Sequence, residues 1–296
     1  MASVREMRLR IRSVKNIAQV TRALEAVSAS KVRKAQQAVL ATRAYANKAK
    51  EILADLSNQP GSVALLHPLL NARPEVKAID IILITGDRGL AGAYNANIVR
   101  EAFLFSREQS VPVRWVTVGR KGRDLTFRRR GNIVAEFTNL SAAPTALEIA
   151  PIARTAIDDF LSGAVDEVYI AYTDFVNTLK LIPTVRKILP FTAESVGAES
   201  SMASKLPFIY EPSAGELLNV IVPRFAQLQV LQAVLESLAS EHSARMVAMR
   251  NATDNAQDLI GTLTLDMNKA RQLAITSDLL DIAGGAEAMA KAAQQK

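Results

Sequence analysis

The chain has 296 residues, 49% of them hydrophobic, and its 36 Lys+Arg outnumber its 29 Asp+Glu for a formal charge of +7. That apolar content excludes wholesale disorder, and division by about 150 residues per domain suggests one large domain or two. Cysteine is absent, which excludes disulfides, thiolate metal sites and cysteine nucleophiles, and two widely separated histidines, His67 and His242, make a poor basis for a His-rich metal centre.

Residues 1–57 hold 12 Lys/Arg against 4 Asp/Glu, so the positive charge is concentrated at the start. Such a segment suits an acidic partner: nucleic acid, anionic lipid or a carboxylate-rich protein surface. No uninterrupted apolar run approaches the ~20 residues that cross a bilayer, and no apolar stretch follows the arginines of the first turns. A soluble, intracellular protein is the expectation.

Residues 3–57 contain neither proline nor glycine, and Ser3-Val4-Arg5-Glu6 reads as a capping box that opens a helix. Apolar residues recur at alternating steps of three and four: Val4, Met7, Ile11, Val14, Ala18, then Val32, Ala35 and Val39, with Thr21, Glu25 and Ser28 as polar interruptions. A 3.5-residue period predicts a coiled-coil seam rather than a helix lying on a sheet. Asn58-Gln59-Pro60-Gly61 ends it.

The pattern changes after the first helix. Ala78–Ile84 is almost continuously apolar, as in a strand covered on both faces. Further strands are predicted at Val113–Val118, Ile133–Phe137, Val168–Phe175 and Leu179–Ile182, separated by helices over Asn95–Glu108, Gly122–Arg130 and Thr145–Leu161. This alternation predicts an inserted Rossmann-like α/β domain over 75–195 with a largely parallel sheet. The turn Thr85-Gly86-Asp87-Arg88-Gly89-Leu90-Ala91-Gly92 follows the first strand, where a phosphate loop would sit. It has neither glycine motif of such loops, Asp87 would oppose a phosphate, and a structural turn is expected.

From Leu228 a second seam runs through Leu231, Leu235, Leu238, His242, Arg245, Met249, Ala252, Ala256, Leu259, Leu263, Asp266, Ala270, Leu273, Ser277 and Leu280. Ser213-Ala214-Gly215-Glu216 is another capping-box match, which would place the helix start earlier and Pro223 inside it as a kink. At about 1.5 Å per residue each helix would reach about 80 Å. The two ends of the chain are therefore expected to form a rod, an antiparallel pair of long helices. The expected fold class is α/β plus coiled coil, with a shaft helix over 1–57 and a foot and second shaft helix over 208–288.

The sequence resembles the gamma subunit of F-type ATP synthase, over nearly its whole length. The resemblance rests on Arg10–Asn16 and Val20–Arg33 in the first helix, Asp87-Arg88-Gly89-Leu90-Ala91-Gly92 with Asn95 and Asn97, and Phe208-Ile209-Tyr210-Glu211-Pro212. It also rests on Ala244–Ala256, on Asn268–Gln272 and on Ile275–Ala288 near the end. It implies a non-catalytic central rotor stalk without cofactor or metal, entering a ring of three alpha and three beta subunits. Epsilon and the membrane c-ring would be the other partners, on the cytoplasmic face of the membrane, with no direct nucleic-acid contact. By the same resemblance Leu24, Arg245, Gln272, Thr276 and Asp278 would contact the ring, with Leu24 opposite the others. Asp278 stands where the family usually has Glu. Phe208 and Glu211 would form the junction with epsilon and the c-ring. Lys31, Arg33 and Lys34 are candidates to engage acidic beta-subunit loops. The paired-cysteine insertion of some plastid gamma subunits is excluded.

Two other readings remain at this point: a DNA-binding coiled-coil scaffold, and an enzyme built on the α/β domain. Against the first, residues 212–296 hold 7 Lys/Arg and 9 Asp/Glu, and basic and aromatic residues are not interleaved as a nucleic-acid surface would require.

Overall fold

The computed structural model describes residues 4–57, 67–191 and 214–294. Helix α1 spans Val4–Ser57 and helix α5 spans Ala214–Gln294. Between them lie a short 3-10 turn at Pro68–Leu70, β1 (Ile79–Ile84), α2 (Tyr94–Glu108), β2 (Val113–Val118), α3 (Arg120–Arg128), β3 (Asn132–Phe137), α4 (Ala146–Leu161), β4 (Glu167–Phe175) and β5 (Leu181–Leu189). The chain forms two compact units, residues 1–26 with 247–296, and residues 27–246.

The larger unit is built on a five-stranded sheet in the order β3-β2-β1-β4-β5. The first four strands are parallel, and β5 returns antiparallel to β4. Every residue of β1 is buried, as its unbroken apolar sequence requires. Alternation sends Ile81 and Leu83 to a cluster with Ile98, Val99 and Trp115, while Ile82 and Ile84 join the opposite cluster with α4 and α5. Helix α4 opens on a complete capping box: Thr145 accepts from the Glu148 amide, and Glu148 accepts from the Thr145 amide at 3.0 Å.

Three expectations need correction. The last strand is longer than Leu179–Ile182: Asn177 turns the chain by accepting the Leu179 and Lys180 amides, and pairing then continues to Leu189. Pro183 and the charges of Arg186 and Lys187 disguise it, and they are tolerated because β5 is an edge strand. Lys187 forms an ion pair with Glu167 and Arg186 lies over the Tyr172 ring. Second, the first part of α5 is no plain coiled-coil seam. Leu218, Val222, Phe225, Ala226, Val230, Leu231, Ala233 and Val234 are buried in the sheet's core cluster, so this stretch is apolar nearly all round. Third, α5 includes an apolar window that meets the length and composition of a membrane span, although 56% of it is buried inside the protein, as in a core helix.

In the smaller unit the seam of α1 is where the spacing put it. Ile11 and Thr21 are buried and Val4, Met7, Val14 and Ala18 half-buried. On α5, Met249, Thr253 and Ala256 are buried. The covered stripe then passes to Ile260, Leu263, Thr264 and Met267, leaving Leu259 and Asp266 exposed. The seam has slipped by one residue, a local step of four where three was expected.

Candidate functional site

In residues 27–246, the carboxyl ends of the parallel strands meet one helical stretch of α5. Its sequence from Ser237 to Arg245 is dense in polar side chains that the apolar seam does not explain. Its three serines bond α2, β4 and the turn after β4. Ser237 bonds the Tyr94 hydroxyl at 2.6 Å, Ser240 donates to the Thr173 carbonyl at 3.0 Å, and Ser243 donates to the Thr178 carbonyl at 2.9 Å. Burial, then Glu241, pushes the Tyr94 hydroxyl upward, so it remains a neutral hydrogen-bonding group.

The glycine turn after β1 packs against that stretch. A Cβ on Gly86 would lie 2.7 Å from the Glu241 carboxyl carbon, so glycine is what lets α5 approach. Arg245 pairs with Glu241 and donates to the Gly89 carbonyl at 3.2 Å from Nη2. Thr85 accepts the Gly122 amide at 2.8 Å and donates to the Val118 carbonyl at 3.0 Å, which joins the ends of β1 and β2. Asp87 accepts the Arg120 amide at 3.0 Å and the Asn139 amide at 2.9 Å. The turn is thus an internal brace, as its lack of a phosphate motif predicts. Asp87 and Arg88 of the turn, with Leu238, Glu241, His242 and Arg245 of α5, enclose part of a polar cavity of about 400 Å³.

In residues 1–26 and 247–296, α1 and α5 pair antiparallel. Thr21 and Thr253 share a hydroxyl–hydroxyl bond of 2.7 Å, and Glu25 faces Arg250 at 3.9 Å. As numbers rise on one helix they fall on the other. Carried along at the common rise, this register brings Val4, the first described residue of α1, opposite about residue 270. Beyond it, every described side chain of α5 from Arg271 to Ala286 is exposed. The exposed residues include Leu273 (58%), Leu280 (67%) and Ile282 (70%).

The predicted contact residues fall into different settings. Lys31, Arg33 and Lys34 are exposed on α1. Arg245 is largely engaged inside the chain. Gln272 and Thr276 sit one turn apart on the exposed end of α5, where the Thr276 hydroxyl donates to the Gln272 carbonyl at 3.0 Å, and Asp278 is exposed beside them in sequence. Leu24 is half-buried and stands opposite the turn of Arg250, not opposite Gln272, Thr276 and Asp278; the register puts it about 33 to 42 Å from them along the helix. Phe208 and Glu211 lie outside the described residues. Among the described residues, no three His, Asp or Glu side chains gather to hold a metal.

A second stripe on α1 escaped the seam reading. Ile17, Val20 and Val27 are 53%, 59% and 52% exposed, and with half-buried Leu24 they recur at helical spacing on one flank. The signal was present in the sequence as apolar residues at 17, 20, 24 and 27, hidden by the stronger neighbouring seam.

A sequence model of the family described as ATP synthase matches residues 3–289. The ATP synthase gamma chain of Dehalococcoides mccartyi strain CBDB1 is 51% identical over 290 residues, covering 98% of this chain and 100% of the relative. That of Roseiflexus castenholzii is 48% identical over 295 residues, with 98% and 100% covered. Among solved structures, a chain from the Euglena gracilis mitochondrial ATP synthase in rotational state 3 (OSCP/F1/c-ring) aligns with a TM-score of 0.65 and 21% identity, covering 97% of this chain and 94% of that one. A chain from the central stalk and c-ring of the Tetrahymena thermophila enzyme gives 0.61 and 24%, covering 79% and 99%. These two likenesses bear on the fold.

Proposed function

Because the chain belongs to the ATP synthase gamma chain family, we propose that it acts as the non-catalytic central rotor stalk of a proton-translocating F-type ATP synthase. The observation that carries this is the uncovered apolar end of α5, with Leu273, Ile275, Leu279, Leu280 and Ile282 each more than half exposed. Aliphatic surface of that extent on one helix calls for a sleeve of other protein. The alpha and beta subunits, three of each, are the proposed sleeve, and the catalytic sites belong to them. The second stripe on α1 offers the same ring another apolar face.

The stalk's work is differential contact. To move a pocket between states by about 10⁴ in affinity requires ~5.5 kcal/mol of difference between them. Two dissimilar helices supply it as they turn, because each flank presents different bulk and charge. Release matters equally, and exposed ion pairs worth about 0–1 kcal/mol each form and break readily. Lys31, Arg33 and Lys34 are proposed to meet acidic beta-subunit loops in this way, and Gln272, Thr276 and Asp278 to meet the ring around the apolar end. Leu24 meets it on the flank of α1 nearest Arg250, where a lysine would compete for Glu25 and disturb coupling more than assembly.

Phe208 and Glu211 remain the proposed junction with epsilon and the c-ring, in the foot that together with the second shaft helix spans 208–288. The complex is membrane-associated, and the proposed place of this subunit is its cytoplasmic side, held through its partners. Affinity purification from membranes through a tag on this chain tests the reading: alpha and beta should arrive in three copies each, with epsilon and the c-ring. Recovery of the chain without them would refute it. Reversing the charges of Lys31, Arg33 and Lys34 together should then lower the coupling of ATP turnover to rotation, and unchanged coupling would refute their part.

A further inference from the structure

The cavity between α5 and the sheet lies where open α/β sheets bind ligands, outside the carboxyl ends of their parallel strands. Its walls come from the turn after β1 (Arg88), the start of α3 (Arg120), the segment after β3 (Asn139, Ser141), α5 (His242) and α1 (Lys31). With a volume of about 400 Å³ it falls in the range of small-molecule sites.

Its charge is unbalanced. Two carboxylates face it, and both are occupied: Asp87 by the Arg120 and Asn139 amides, Glu241 by Arg245. The Arg120 guanidinium reaches only the neutral Asn139 side chain, at 2.6 Å, and among the described residues Lys31 and Arg88 have no ion pair. Donors therefore outnumber acceptors.

His242 sharpens this. It is 6% exposed, and Arg245 Nη1 lies 3.3 Å from its Nδ1. A guanidinium can only donate, so Nδ1 accepts and the ring proton sits on Nε2. Nε2 is buried and has no partner among the described residues. Burial first, then Arg245 and Lys31, lowers the ring to about 4, so it is neutral at pH 7 and keeps this tautomer. A buried N–H without an acceptor is costly, and the cations around it favour an acceptor with negative charge.

We infer that this cavity is a binding site for an oxyanion of the phosphate class, held by Lys31, Arg88 and Arg120, with the His242 ring in its wall. The site rests on the chain alone, so its failure would leave the rotor reading untouched. Asp87, which in sequence opposed a phosphate, keeps its charge here, but the cations of Lys31, Arg88, Arg120 and Arg245 on the same walls outnumber Asp87 and Glu241.

The test is a titration of the full-length chain, ¹⁵N-labelled at histidine, with inorganic phosphate at pH 7 and constant ionic strength, followed by calorimetry and imidazole NMR. Only two histidines are present, so the two rings are distinguished by one substitution. Phosphate should bind one to one with a dissociation constant at or below about 1 mM, moving the His242 resonances and not those of His67. The Lys31→Gln, Arg88→Gln double variant, changed only at exposed positions, should melt as the parent does and bind about tenfold more weakly or worse. Absence of saturation by about 20 mM phosphate, or equal binding by the double variant, would overturn the site. Acetate binding as tightly as phosphate would also overturn it, by assigning the cavity to a partner's carboxylate side chain.

Discussion

The hydroxyls of Thr21 and Thr253, 232 positions apart in sequence, lie 2.7 Å from one another in the buried seam of α1 and α5. Each also has a carbonyl one turn back on its own helix, Ala18 at 3.1 Å and Met249 at 2.9 Å. One hydroxyl therefore donates across the seam and the other to its own helix. Threonine at these positions lets two helices approach closely while fixing their register.

Replacing either threonine by valine keeps the shape and strips the other hydroxyl of its cross-seam partner. Each single change should destabilise the pair by about 1 kcal/mol, and the double change by less than the sum, since no orphan is left. Thermal unfolding of the four variants as a cycle measures this; strict additivity would mean that the two hydroxyls are not coupled.

Arg245 was readable from sequence as a contact residue, and its internal role was not. Position 245 falls on the heptad seam, but its partners, Glu241, Gly89 and His242, lie partly on a turn more than 150 positions away that no helical period encodes. Arg245→Met leaves Glu241 buried and unpaired, a loss of about 3 kcal/mol or more in the chain by itself. Gln272→Ala and Thr276→Ala, on exposed helix, should stay within about 0.5 kcal/mol of the parent. Equal thermal stability of all three variants in the isolated chain would refute this division.

The sheet was the most legible part of the molecule, because burial on both faces forces apolar runs such as Ile79–Ile84 that few other structures use. The seam of α1 was legible for a similar reason, as a strict period sustained over many turns. What sequence missed depends on contacts between distant segments: the polar stretch Ser237–Arg245 bonded to the sheet, the slip near Leu259, and β5 behind Pro183. The exposed end of α5 was misread as seam because its apolar spacing persists beyond the stretch that the described residues of α1 face. An apolar period records that something covers a helix, not that the same chain does so.

Leu279 and Leu280, 62% and 67% exposed, give that distinction a measurement. Changing both to asparagine should leave the melting of the isolated chain within about 1 °C per site, since nothing among the described residues packs on them. Recovery of alpha and beta subunits with the tagged chain, or the coupling of proton flow to ATP synthesis, should fall severalfold. Full recovery together with full coupling would show that this end needs no cover.

Asp80 is fully buried on β1, and it shares Arg114 with Asp159: Arg114 Nε lies 3.0 Å from Asp80, and Nη2 pairs with Asp159. One guanidinium facing two carboxylates cannot satisfy both as full anions. Burial pushes the Asp80 carboxyl up to about 7, with Asp159 adding to the rise and Arg114 opposing it. A raised carboxyl holds its proton more tightly in the folded chain than in the unfolded one. Its contribution to stability is therefore full below about 4 and is lost as the pH rises through about 7. Asp80→Asn carries no such proton, so the parent should gain on it as the pH falls from 8 to 5, by on the order of 2 kcal/mol. Other groups titrate in the same window, and the difference in melting temperature between parent and variant cancels them. If that difference is flat, or grows toward alkaline pH, Arg114 is holding Asp80 ionised and the two carboxylates do not share a proton.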